Sequence, residues 1–150
     1  MEIDSVAQLV HSARSRQIDV FVDGPASEDA IAVVELHMGH PLTPAFRVYL
    51  GQFGCISLCD THLSGIVAND PLAPEGGNIL FDTAQLRARE PSLPSSHWVI
   101  VGHEDGAYCL DFSVCPAGEP RVVNYEQGSS TSVAQSFSHF VASYLQALVV

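Results

Sequence analysis

Apolar positions recur at helical spacing over the first third of the chain and change period after about residue 53. Val6, Leu9, Val10 and Ala13 share one face of a helix expected over residues 5–17, and Ser5-Val6-Ala7-Gln8 has capping-box spacing. Ile18 to Val22 is a short apolar stretch closed by the Asp23-Gly24-Pro25 turn. Ser27 suits the cap of a second helix, with Glu28 and Asp29 at its positive end. Ile31, Val34 and Met38 line that helix, and Gly39 ends it. Thr43-Pro44 then opens a third helix to about Gln52, with Phe46, Tyr49, Leu50 and Phe53 as its apolar contacts.

From Gly54 onward short strands are expected, at Cys55 to Leu58 and His62 to Val67. Asn69-Asp70-Pro71 and Pro74-Glu75-Gly76-Gly77 are loop chemistry. A helix is expected from Asp82 to Glu90, capped by Asp82 and stopped before Pro91. Trp98 to Gly102 and Tyr108 to Asp111 read as strands joined through Glu104-Asp105-Gly106, and Arg121 to Tyr125 as a third strand. Ser132-Val133-Ala134-Gln135 has capping-box spacing and leads into Val133, Phe137, Phe140, Val141, Tyr144, Leu145 and Leu148, a wide apolar helical face. Trp98 is expected to share a core with this closing helix. Helices, then strands, then a helix make the fold class α+β, and no repeat or linker divides residues 1–150, so one domain is expected.

Charge narrows the partners. Seventeen acids stand against six bases, giving a net charge of −11. Such a surface disfavours nucleic acid, which needs cationic groups, and is compatible with a basic protein partner. No apolar run approaches the ~20 residues of a membrane helix. Met1-Glu2-Ile3-Asp4-Ser5 is acidic where a secretory leader is basic, so a cytoplasmic location is expected.

Cys55, Cys59, Cys109 and Cys115 are spaced C-x3-C and C-x5-C, without the tight knuckles of a zinc site, and buried packing is the simpler role for them. The seven histidines form no His-Glu-x-x-His or comparable motif, so neither metal nor cofactor is expected. There is no Gly-x-Ser-x-Gly, phosphate loop or dinucleotide fingerprint. A small Cys/His-dependent enzyme remains the third reading, since Cys55 follows Gly54 and Cys59 precedes Asp60-Thr61-His62.

The order of several short motifs resembles one family. Ile31 to Leu42 has a helix with an acid, Glu35, before its end, then Gly39 and a Pro41-Leu42 turn into the aromatic-bearing Pro44-Ala45-Phe46-Arg47. Tyr49-Leu50-Gly51-Gln52-Phe53-Gly54 follows, keeping the Gly of the family's usual Asn-Gly pair and replacing its Asn by Phe53. Trp98 to Gly102, Asp105-Gly106, Cys109-Leu110-Asp111, and Ser136-Phe137 with Phe140 complete the pattern. In this the chain resembles the SUKH superfamily, which includes the Smi/Knr-like proteins. The resemblance implies a central, mostly antiparallel sheet flanked by N-terminal helices and a C-terminal helix, and no catalytic residues. Bacterial members are typically immunity proteins, each neutralising the toxin encoded beside it, often a nuclease; eukaryotic members regulate cell-wall synthesis. An immunity protein occluding a cationic toxin's active site is therefore the first expectation, and a non-catalytic regulatory scaffold the alternative. Loop acids are the candidates to meet such a partner: Asp60, Asp70 and Glu75 in the middle loops, and Glu104 and Asp105 at the hairpin tip.

Overall fold

The structure, a computed structural model, describes residues 3–58, 60–115 and 118–149, with side chains between 6 and 147 of those ranges. The first helix, α1 (Ile3–Ser15), buries Val6, Val10 and Ala13, as its apolar stripe dictates. It begins before Ser5, so Ser5 lies inside the helix and does not cap it. After β1 (Val20–Val22), α2 (Glu28–Met38) is capped as expected, with the Ala30 N–H donating to Ser27 Oγ at 3.1 Å. Gly39 ends α2 at φ +84°, a conformation glycine adopts without a Cβ penalty.

The α2–α3 turn is fixed by Glu35. Its carboxylate accepts the Leu42 N–H at 2.7 Å and pairs with Arg47 at 2.8 Å; the Leu42 bond first, and Arg47 after it, lower its pKa. Arg47 also reaches Glu28 at 2.7 Å. The acid before the end of α2 thus holds the start of α3 (Pro44–Phe53). Fully buried Tyr49 of α3 donates its hydroxyl to the Leu63 carbonyl and accepts the Ile56 N–H at 3.0 Å, tying the helix to β2 (Ile56–Leu58) and β3 (Thr61–Leu63).

All strand pairs are antiparallel, in two sheets ordered β1-β2-β3 and β4-β5-β6-β7. The second comprises β4 (His97–His103), β5 (Gly106–Asp111), β6 (Arg121–Glu126) and β7 (Ser129–Ala134). The register of β4 on β5 slips between Val99 and Val101, leaving Ile100 as the extra residue. The Ile100 carbonyl accepts the Ser64 N–H at 2.7 Å and so joins the two sheets just after β3. One face of the larger sheet, with Trp98, Val101, Leu110 and Val122, packs with Phe137, Phe140, Val141 and Leu145 and with α1 to α3 in one core. The opposite face buries Val99, Cys109, Val123 and Tyr125 against Leu86 of α4 (Ile79–Arg89). Trp98 and the closing helix do share a core, and Tyr144 is half-buried against it; the Leu148 side chain lies outside the described residues.

Three further boundaries differ from the sequence expectation. The strand expected over residues 62–67 stops at Leu63, and Gly65 instead bridges Asn78 in parallel. Helix α4 starts at Ile79, so Asp82 sits in its first turn and is not its cap. Residues 132–135 are not the start of the last helix, α5 (Phe137–Val149), because Ser129 to Ala134 form the fourth strand of the larger sheet. Gln127 and Gly128, at φ +52° and +79°, make the tight turn that pairs Glu126 with Ser129. The cap of α5 is Ser136, whose Oγ accepts the His139 N–H at 3.2 Å.

Phe140 is 7% exposed and lies between the Tyr108 and Tyr144 rings at 5.2 and 5.5 Å. Phe140→Ala is expected to destabilise the protein by about 3–5 kcal/mol in denaturant titration. A loss below about 1 kcal/mol would contradict the packing of α5 on the sheet.

Candidate functional site

All five sequence-nominated acids are exposed. Asp60 lies in the short turn between β2 and β3, where Leu58 pairs with Thr61. Glu104 and Asp105 form the tip between β4 and β5, where His103 pairs with Gly106. The tip is stiffened from within, since the Asp105 N–H donates to His103 Nδ1 at 3.2 Å. Gly106 is required there, because a Cβ would stand 1.9 Å from the Tyr125 carbonyl oxygen.

A cleft of about 190 Å³ lies between the β2–β3 turn, α4 and the end of the β4–β5 hairpin. Asp60, Thr61 and His62 line one side, Gln85, Leu86 and Arg89 the helix side, and Gly102, Gly106 and Ala107 the hairpin side. Asp60 and the two glycines flanking the Glu104-Asp105 tip, Gly102 and Gly106, distant in sequence, therefore line one depression, while Glu104 and Asp105 themselves are not part of its lining. Glu75 adjoins it through Gly76, whose missing Cβ would lie 3.7 Å from His62 Nε2. Asp70 does not line the cleft. It belongs to the same loop as Glu75, shaped by buried Asn78, whose Nδ2 donates to the Asp70 and Ala73 carbonyls at 3.0 Å and whose Oδ1 accepts the Val67 N–H at 2.8 Å.

Asp82 is a further acid of the cleft that sequence reading had assigned to helix capping. Its carboxylate accepts Ser64 Oγ at 2.6 Å and the Gly77 N–H at 3.1 Å, while burial nonetheless raises its pKa. It holds the loop that precedes α4 in place, and with it one wall of the cleft. His62, at the rim, pairs through Nδ1 with Ser57 Oγ at 2.8 Å.

Two of the thiols are buried in the packing. Burial pushes the Cys55 and Cys109 thiols up to about 12, so both stay protonated, the opposite of an activated nucleophile. Cys55 Sγ donates to the Leu63 carbonyl at 3.4 Å. Cys115 is exposed, and Cys59 lies outside the described residues. Among the described residues no three His, Cys, Asp or Glu side chains converge on a metal-sized site.

Ser130, His97 and Asp111 follow the order of a nucleophile, base and acid relay, with Ser130 Oγ 2.9 Å from His97 Nε2. The relay is a structural tie between strands. His97 Nδ1 is 3.7 Å from Asp111 Oδ1, with Ser96 Oγ near both, and His97 is only 3% exposed. The Asp111 oxygens are taken by Ser113 at 2.6 Å and Arg121 at 2.9 Å.

The family model SUKH_5, described as SMI1-KNR4 cell-wall, matches residues 4–146. No curated protein matches the chain.

The tie at His97 predicts a pH dependence. Burial lowers the His97 pKa from its usual 6.5, outweighing the pull of Asp111. The unfolded chain then binds a proton more readily than the fold does, so stability is present above 6.5 and is lost as pH falls from there toward the folded value. Urea titrations between about pH 5 and 8 should show this loss, and His97→Gln should flatten it. An equal slope in both proteins would contradict the role given to His97. Asp111 adds a more acidic step. Burial alone would raise its pKa, but the Ser113 bonds and Arg121 bring it below 3.8, so its contribution goes only as pH falls through that range.

Proposed function

Because the chain belongs to the SUKH (SMI1-KNR4) family, we propose that it is an immunity-type binding protein that neutralises a cognate bacterial toxin with a cationic surface by covering the toxin's active site. The observation that carries this reading is a cleft lined by Asp60 on one short turn and by Gly102 and Gly106 at the base of the turn that bears Glu104 and Asp105, with Glu75 beside it. Acids on such turns need little reordering to meet a basic surface, which keeps the entropic cost of docking low. A net charge of −11 adds long-range steering toward a cation-rich partner. The reading needs no chemistry from the chain itself, in keeping with protonated buried thiols and a buried His97 held between strands. The cell-wall description of the matching family favours one second reading, a non-catalytic regulatory scaffold. The same acidic surface would then meet a basic regulatory protein.

Co-purification with the product of the neighbouring gene, followed by rate measurements at two salt concentrations, separates these readings. Asp60→Arg combined with Glu104→Arg is expected to slow association about tenfold or more and to flatten its salt dependence, with a smaller effect on dissociation. Unchanged rates would move the interface away from the cleft. Absence of both binding and protection in cells would exclude the neighbouring product as a toxin countered by this protein.

A further inference from the structure

Strand β7 is the open edge of the larger sheet, and its chemistry differs from the rest of the chain. In antiparallel pairing, alternate peptides of an edge strand turn their N–H and C=O groups away from the sheet. Proteins usually guard such edges with charge or proline. The Ser129–Ala134 segment has neither. Its one irregularity is the register slip opposite Val122 and Val123, which leaves Val133 as the extra residue, 47% exposed. Beside it runs a shallow, mainly apolar groove of about 250 Å³ between β7 and α5, lined by Val133, Tyr108, Phe140 and Tyr144.

The charge pattern indicates what covers this edge. Residues 127–150 contain no Asp, Glu, Lys or Arg, although the chain as a whole carries −11. Two copies would repel each other over most of their surfaces. They can meet along β7 without opposing acids and without stripping water from a charge. A cationic partner, by contrast, gains nothing from a strip that holds no acid. An antiparallel edge is also self-complementary about a two-fold axis.

We propose that β7 pairs with β7 of a second copy, antiparallel about a two-fold axis, so that one sheet runs continuously through a homodimer. The β7 edge contributes no residue to the cleft, which is lined by the end of the β4–β5 hairpin, α4 and the β2–β3 turn. Both clefts of the dimer therefore remain open, and the dimer is independent of any toxin.

Sedimentation equilibrium of the full chain from about 1 to about 500 µM tests this. The expected result is a concentration-dependent rise toward twice the 16.1 kDa of one chain. Val133→Glu places like charges on the shared edge and should weaken the dimer at least about tenfold with an unchanged circular dichroism spectrum. Leu36→Glu, on α2 and 78% exposed, should leave it intact. Amide exchange supplies a second readout without substitution: the outward amides of β7 should slow as concentration rises. A monomer throughout the range would overturn the proposal. So would a dimer that survives Val133→Glu but not Leu36→Glu, or β7 exchange that is independent of concentration.

Discussion

The whole arrangement depends on a backbone crossing that excludes side chains. At Gly54 a Cβ would stand 2.3 Å from the Gly24 carbonyl oxygen and 2.9 Å from that of Ile66. At Gly65 it would stand 1.9 Å from the Gly54 carbonyl oxygen. Gly54 also holds φ +68°, which strains any residue with a side chain. Because both positions are bare, the Ile66 N–H reaches the Gly54 carbonyl at 2.8 Å, and the Gly24 N–H reaches that of Phe53 at 3.0 Å. The end of α3, the β1–α2 connection and the strand leaving β3 are locked together at this point. Gly65 continues the lock, donating to the Gly77 carbonyl at 2.7 Å and accepting from Ile79 at 2.9 Å, so the crossing also sets where α4 begins.

From that point the position of the cleft follows. The start of α4 is held by Gly65, by Asn78 and by Asp82, and α4 then packs on the face of the larger sheet opposite α5. The Ile100 bulge brings β4 to Ser64 and thereby places the end of the β4–β5 hairpin beside the β2–β3 turn. The β2–β3 turn with Asp60 and the base of the hairpin tip at Gly102 and Gly106, more than forty residues apart in sequence, thus line one depression. The polar groups inside the fold serve to tie elements together. Tyr49 joins α3 to two strands, Glu35 fixes the α2–α3 turn, and His97 links β4 to β7.

Much of this was legible in the sequence where the signal was local. Ser27, Gly39 and Thr43-Pro44 marked helix limits through the chemistry of their own turns, although Thr43 makes no side-chain capping bond. The glycine at 54 was legible only as the kept half of the family's Asn-Gly pair, and the reason for it, contact with Gly24 and Ile66, is tertiary. The last segment was misjudged because Ser132 to Gln135 satisfies a capping-box spacing, while Gln127-Gly128 is a less familiar tight turn than Asn-Gly. Pairing with β6 decided that competition in favour of a strand. The helical pattern makes Asp82 a cap, whereas its role is defined by Ser64 and Gly77, neither of which that pattern reveals. Exposure of the five loop acids was predictable from turn chemistry. That Asp60 lines the cleft and the other four do not was not predictable, since that depends on how the two sheets meet.

The central claim is that the cleft lined by Asp60 and by Gly102 and Gly106, at the base of the Glu104-Asp105 tip, is the surface through which the protein acts. Amide hydrogen exchange, compared between the free protein and its complex with the co-purified partner, locates that surface directly. The account predicts slowed exchange concentrated at Asp60 to His62 and Gly102 to Gly106, with the α2 face unchanged. Protection confined to α2 and α3, with the β2–β3 turn and the hairpin tip exchanging as in the free protein, would contradict it.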